Sequence, residues 1–297
     1  MKVRRTWLVV PALSTDRVSR ARTCRADVVV VDLAYFCRGQ GASKEAAAAK
    51  AAIAALSDGP AELFLQVRAS SMAAQLVDSV RPGLAGVILA GVESAERVIE
   101  ADELLTRLEL SNGLAPGSLE IVTALESAAG NQNAQSIVAA TPRTTSASLG
   151  RADLVMDLRP EPSGAIHLLD YLAQRLILLA GALGKQALGA RWTSGDRGLS
   201  TTPGRALQAA RMGRTLGFRG SLCVRENMIA PLRVGFTPSA AEVAAASRFL
   251  QDMRDRGTDE CWAAAEDSRS AGAATRLLAF ADACAEQDRK LGIARSR

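Results

Sequence analysis

Histidine is nearly absent from this chain: of 297 residues one is a histidine, His167. A zinc site of the common His/Cys kind is therefore poorly supplied. A Cys–His pair would depend on His167, which falls inside the helical run Ile166-His-Leu-Leu-Asp-Tyr-Leu and reads as a helix-surface or packed residue. The five cysteines (Cys24, Cys37, Cys223, Cys261, Cys284) are odd in number and contain no C-x-x-C pair, the usage of reduced, mostly structural thiols in the cytosol. Cys37, near a predicted strand end, is the candidate for a reactive thiol. Aromatic residues are 4% of the chain and no basic block of five exists, so a net charge of +5 and a pI near 9.2 do not amount to a nucleic-acid surface. No apolar stretch approaches the roughly 20 residues needed to span a membrane. The opening Met-Lys-Val-Arg-Arg-Thr-Trp-Leu-Val-Val-Pro has a faint look of a signal peptide, but its apolar run is short and Pro11 interrupts it. It is read as a first strand, and the protein is expected to be cytoplasmic, with no membrane and no nucleic-acid partner. Glycine is missing from the turn after that strand, Pro11-Ala-Leu-Ser-Thr-Asp, which argues against the nucleotide fingerprint of a doubly wound sheet. Ser14 and Asp16 read instead as helix-start signals.

What is present is a regular alternation. Short apolar runs at Trp7–Pro11, Asp27–Leu33, Leu63–Arg68, Gly86–Ala90, Leu119–Glu126, Thr144–Asp153, Ala187–Trp192 and Gly220–Val224 are separated by amphipathic Ala/Leu/Arg-rich stretches. Strands alternating with helices indicate βαβ units and a parallel sheet. Eight such units in about 235 residues match a (β/α)₈ barrel, typically about 250 residues long. From Thr237-Pro-Ser239 onward the pattern changes: residues 239–256 and 271–290 are helical by periodicity, with Ser239 as N-cap. The expected organisation is a barrel over residues 1–239 followed by a helical segment, 240–297, that covers the barrel mouth or packs on a neighbouring subunit.

Two acids fall where predicted strands five and six give way to small-residue loops, Glu126 and Asp153. In a parallel barrel that rim carries the chemistry. Two carboxylates at neighbouring rim positions suit Mg²⁺, which takes one or two protein carboxylates and keeps water or substrate elsewhere; the competing reading is two ordinary loop acids, Asp153 capping a turn. Arg68 ends strand three, where a guanidinium can clamp a substrate carboxylate bidentately. Asp32 ends strand two and either binds substrate, orients Arg68 or a metal water, or caps the following turn. Trp192 and Arg191 end strand seven and could wall the pocket, though packed tryptophans are commoner. Gly150, just after strand six, permits a close backbone approach by a ligand. Glu93 reads as helix-end electrostatics beside Ser94.

These residues, in this order, resemble the HpcH/HpaI aldolase superfamily, in particular the citrate lyase β-subunit and the malyl-CoA and citramalyl-CoA lyases. The resemblance runs from Arg4 to about Ser239. The family's arginine and strand ending in Val-Pro fall on Arg5-Thr-Trp-Leu-Val-Val-Pro11, its Asp-Leu-Glu-Asp on Asp32-Leu-Ala-Tyr35, its helix-starting lysine on Lys44, and its Val-Arg-Ile-Asn on Val67-Arg-Ala-Ser70. Its Leu-Pro-Lys-Val-Glu-Ser falls on Leu89-Ala-Gly-Val-Glu-Ser94, its metal-binding glutamate on Glu126-Ser-Ala-Ala-Gly130, and its Gly-x-x-Asp on Gly150-Arg-Ala-Asp153. Gly217-Phe-Arg-Gly220 and Phe236-Thr-Pro-Ser239 match two further motifs. The resemblance implies Mg²⁺-assisted aldol or Claisen-type chemistry, with Glu126 and Asp153 holding the ion, Arg68 steadying the carboxylate of a 2-oxo acid, and an acyl fragment, in the family a CoA thioester, as the other partner. A catalytic acid supplied by the tail would fall on Asp267, in Ala265-Glu-Asp267. With the helical tail, the resemblance implies a homotrimer or a multiple of one.

The departures are as informative. The inner acids of the second-strand motif have become Ala34 and Tyr35, Pro-Lys has become Ala90-Gly91, and Ile-His-Pro after strand eight has become Val224-Arg225-Glu226. They put the CoA thioester in question and leave three readings: a Mg²⁺-dependent carbon–carbon lyase with an altered acyl donor, a metal-dependent thioester hydrolase on the same scaffold, or a non-enzymatic descendant serving as a scaffold or partner protein.

Overall fold

The structure, a computed structural model, describes residues 2–35, 41–150, 168–191, 202–256 and 261–293. Cys37, Asp153, His167 and Trp192 lie outside the described residues.

Eight parallel strands follow one another around a barrel: β1 (Thr6–Pro11), β2 (Val28–Asp32), β3 (Glu62–Arg68), β4 (Leu84–Ala90), β5 (Glu120–Leu125), β6 (Thr144–Leu149), β7 (Gln186–Leu188) and β8 (Ser221–Cys223). β8 pairs with β1. The remaining seam between β7 and β8 is closed by the parallel bridge Leu188–Gly220, with Gly189 N donating to Gly220 O at 2.7 Å and Arg219 N to Ala187 O at 3.1 Å. The fold is a (β/α)₈ barrel.

Strand alternation sorts the side chains. Trp7, Val9, Val28, Val30, Phe64, Ile88, Val122, Ala124 and Leu188 face inward and form one buried cluster. Their neighbours along the chain, such as Leu8, Val29, Val31, Leu65, Val67, Val87 and Leu89, face outward into a second cluster beneath the helices. Both faces are covered, which is why β2 reads as four consecutive valines rather than an alternating pattern. Trp7 and Phe64 pack in a tilted pair, ring centroids 5.0 Å apart at 59°. Gly86 on β4 makes room for them, because an added Cβ would lie 2.6 Å from the Phe64 ring. Truncating such a filled position costs about 3–5 kcal/mol.

The N-terminal end of the barrel is plugged by charge. The Arg4 guanidinium lies over the Phe64 ring (5.0 Å) and forms hydrogen-bonded ion pairs with Glu62 and with Glu120 (2.6 Å). Conserving order at this end serves stability, since barrel chemistry sits at the other.

Around the barrel lie α1 (Thr15–Ala21), α2 (Ala42–Leu56), α3 (Met72–Leu76), α4 (Ala95–Ser111), α5 (Ala128–Gln132), α6 (Ala134–Ala139), α7 (Leu168–Ala182), α8 (Pro203–Leu216) and α9 (Ile229–Phe236). Two helices follow, α10 (Ala240–Arg256) and α11 (Cys261–Lys290). Ser239 caps α10 in a reciprocal box with Glu242: Glu242 N donates to Ser239 Oγ at 3.2 Å, and Ser239 N to Glu242 Oε2 at 2.7 Å. α11 begins ten residues earlier than periodicity suggests. Cys261-Trp-Ala-Ala-Ala-Glu holds no breaker, and alanine and glutamate favour helix without needing an apolar stripe.

The α10–α11 pair is rooted at the N-terminal end of the barrel. Arg5, fully buried, donates to Asp27 Oδ1 at 3.0 Å, to Asp288 Oδ1 on α11 at 2.6 Å, and to Thr237 Oγ1 at 2.9 Å. Val3, Phe280 and Cys284 form a small apolar cluster beside it, and Arg219 lies 5.5 Å from the Phe280 ring. At 1.5 Å per residue, Asp267 stands about 30 Å along the helix axis from this anchor.

Candidate active site at the C-terminal rim

Glu126 follows directly on β5. The inward alternation Val122, Ala124 continues to it, so its side chain enters the barrel mouth, half-buried. Ser127 then caps α5, its Oγ accepting from Gly130 N at 3.0 Å, which ends the strand at this point. Gly150 N donates to Leu125 O at 2.9 Å and carries the β5–β6 pairing to the rim. An added Cβ at Gly150 would lie 3.0 Å from Glu126 Cβ, 3.1 Å from Cδ and closer still to Cγ. The close approach that this glycine permits is that of the Glu126 side chain. Gly91, at φ +65°, comes from the end of β4 to the same carboxylate, an added Cβ lying 3.8 Å from Glu126 Oε2.

Asp32 ends β2 fully buried and caps the turn that follows, Oδ1 accepting from Ala34 N and Oδ2 from Tyr35 N, both at 3.1 Å. That turn delivers Tyr35 across the mouth, where its hydroxyl donates to Glu126 Oε2. Arg68, at the end of β3, donates through Nη2 to Ala34 O, and its guanidinium lies 5.5 Å from the centre of the Tyr35 ring. Its backbone N–H donates to Gln75 Oε1 at 3.0 Å, while Gln75 Nε2 donates to Leu33 O and Glu45 Oε2, both at 3.2 Å. Gln75 thus ties the ends of β2 and β3 together from α3. Among the described residues no carboxylate pairs with Arg68, which leaves most of its fork for a ligand.

Three sequence-selected residues (Asp32, Arg68, Glu126) therefore meet at one rim, with Gly150 shaping it. Asp153 follows Gly150 by three positions and Trp192 follows Arg191, both outside the described residues. Asp267 lies within α11, whose side chains at that point are not described. Three contributors were missed: Tyr35, which the sequence offered as a lost acid, Gly91, offered as a lost Pro-Lys, and Gln75, which carries no sequence signal. A cavity of about 430 Å³ opens beside the β1–β8 seam, lined by Arg17, Arg20, Val224, Arg225, Glu226 and Asn227. Arg17 is held there by Val224 O and Arg20 by Glu226 at 3.0 Å.

The thiols are poor nucleophiles where they are described. Burial pushes Cys223 up to about 12 and Cys284 up to about 11, and raises Cys24 as well.

A closed parallel barrel whose rim carries a carboxylate, a buried aspartate and a half-buried arginine has the architecture of a TIM-barrel enzyme. The chain belongs to the HpcH/HpaI aldolase/citrate lyase family, a family of carbon–carbon lyases whose family model matches residues 5–226. It is 27% identical over 258 residues to the citrate lyase subunit beta of Haemophilus influenzae, covering 84% of this chain and 86% of that one. The protein CitE of Mycobacterium tuberculosis, solved with magnesium, acetoacetate and coenzyme A, is similar at 25% identity and a TM-score of 0.62, covering 98% of both chains. The citrate lyase beta subunit from M. tuberculosis complexed with oxaloacetate and magnesium is similar at 25% identity and a TM-score of 0.59, covering 80% of this chain and 98% of that one. Among the described residues, no helix is long and apolar enough to cross a membrane.

Proposed function

We propose that this protein is a Mg²⁺-dependent carbon–carbon lyase that makes or breaks the bond between a 2-oxo acid and an acyl fragment. The observation that carries this reading is the meeting of Glu126 and Arg68 around Tyr35 at the barrel mouth. The donor set suits a hard cation: a half-buried carboxylate and a phenol oxygen, with no sulfur or imidazole among them. Glu126 and Asp153 would hold the ion, which when bound supplies Lewis-acid polarisation of the oxo group and a template for the two fragments.

Arg68 binds the carboxylate of the oxo acid through the part of its fork that Ala34 O does not occupy. Asp32 acts by holding the backbone at Ala34 and Tyr35, and so the aromatic ring on which Arg68 rests. Gly150 keeps Glu126 in the mouth, and Trp192, outside the described residues, would wall the pocket. Asp267 on α11 is the candidate acid for proton transfer to the acyl fragment. The arginine-lined cavity beside β8 supports an anionic acyl carrier, of the kind present with the M. tuberculosis protein. α10 and α11 support assembly into a homotrimer, and Tyr171 and Leu178 on α7, both exposed, offer apolar surface for it.

The test is calorimetric titration of Mg²⁺, then of pyruvate or oxaloacetate in its presence, against wild type, Glu126→Ala and Asp153→Ala. Both substitutions are expected to abolish Mg²⁺ binding and, with it, 2-oxo acid turnover. Mg²⁺ binding at wild-type affinity in either variant refutes the reading.

A further inference from the structure

Tyr35 touches both halves of the rim site. Its hydroxyl donates to Glu126 Oε2, and its ring lies under the Arg68 guanidinium at 5.5 Å. Its own position is over-determined, because Asp32, fully buried, accepts from the backbone N–H of both Ala34 and Tyr35 at 3.1 Å, and Arg68 donates to the Ala34 carbonyl. From a fixed backbone, a tyrosine reaches its hydroxyl position through two torsions, so little freedom is left in where the phenol meets the carboxylate. An ionised carboxylate offers about four lone-pair sites, so accepting the phenol bond does not by itself exclude a cation at Glu126.

We infer that Tyr35 is a positioning residue that couples the cation-binding carboxylate, Glu126, to the oxo-acid-binding arginine, Arg68. The inference rests on the lyase reading above. The hydroxyl fixes the orientation of Glu126 before a cation arrives, the role that hydrogen bonds to ligating carboxylates play in metal sites. The ring fixes Arg68 independently of the hydroxyl, by its electron-rich face. The two functions sit on different parts of one side chain and are separable by substitution.

The experiment uses the full chain and two variants, Tyr35→Phe and Tyr35→Leu, with Glu126→Ala as reference. Mg²⁺ is titrated calorimetrically, and pyruvate is then titrated at saturating Mg²⁺. Urea unfolding confirms that each variant is folded. Tyr35→Phe is expected to weaken Mg²⁺ binding about tenfold while leaving pyruvate binding within about twofold, because the ring remains beneath Arg68. Tyr35→Leu is expected to show the same Mg²⁺ loss and an added weakening of pyruvate binding of about three- to fivefold. If Tyr35→Phe binds Mg²⁺ as well as wild type, or better, while Glu126→Ala abolishes binding, the inference is overturned and the lyase reading stands. If Glu126→Ala binds Mg²⁺ like wild type, the reading falls and takes the inference with it.

Discussion

Substituting alanine at Gly150 would place a Cβ 3.0 Å from Glu126 Cβ and 3.1 Å from Cδ, with Cγ nearer still. Ordinary carbon–carbon contact is about 3.5–4.0 Å, so Glu126 must move by about 1 Å or more. The backbone at Gly150 lies outside the left-handed region, so the added methyl group carries no strain of its own and the whole effect comes from this contact. Overpacking a closed core costs about 1–3 kcal/mol, but Glu126 is half-exposed and can swing outward, which puts the cost at the lower end. Reduced freedom of the unfolded chain offsets about 0.4–1 kcal/mol of it. Net stability should therefore change by about 1 kcal/mol or less. The carboxylate, however, leaves the Tyr35 hydroxyl and its place in the mouth, and losing the orientation of a ligating side chain costs about 10–100-fold in metal affinity, equivalent to about 1.4–2.7 kcal/mol. Urea unfolding and Mg²⁺ calorimetry on the same preparation separate the two effects. A Gly150→Ala protein that binds Mg²⁺ within about threefold of wild type would refute the geometric reasoning. So would one that loses binding only because it has lost more than about 3 kcal/mol of stability.

Arg68→Lys keeps the charge but not the planar fork, so pyruvate binding at saturating Mg²⁺ should fall about tenfold or more with Mg²⁺ affinity unchanged; equal pyruvate binding in the two proteins would remove Arg68 from the site. Asp27→Asn strips Arg5 of its nearest buried partner and should cost about 3–5 kcal/mol in urea unfolding, a loss under about 1 kcal/mol showing that Asp288 and Thr237 suffice. Burial raises Glu120, but hydrogen bonds from Arg4, Lys2 and Thr145 outweigh it and hold the carboxyl at about 2 rather than 4.5. Its folded-state value is the lower one, so its contribution, at most about 3 kcal/mol, is complete above pH 4.5 and is lost as pH falls toward 2; Glu120→Gln should flatten that part of the acid-unfolding curve, and an unchanged curve would count against the plug. Cys37→Ala and His167→Ala should leave turnover nearly intact; activity that survives EDTA and Glu126→Ala but disappears in Cys37→Ala would move the chemistry to a thiol.

The sequence by itself determined the barrel, because eight apolar runs buried on both faces need no long-range information to be seen, and it marked Glu126, Arg68 and Asp32 because each stands where such a run stops. Those signals are local: a change of polarity at a strand end is written in neighbouring residues. The sequence alone leaves three roles open for Asp32, and only the fold shows its two oxygens on the Ala34 and Tyr35 amides. Tyr35 looked like a loss in one strand's motif because its partner, Glu126, is 91 residues away and meets it only when β2 and β5 share a barrel mouth. Gln75 and Gly91 were invisible for the same reason, since an amide bridging two strand ends and a missing Cβ beside a carboxylate have no pattern along the chain. Periodicity misses the start of α11 because it detects an apolar stripe, and the sequence of residues 261–270 has no such stripe. Residue type and spacing thus fixed which groups could act, and strand tilt and closure decided which of them came within reach of each other.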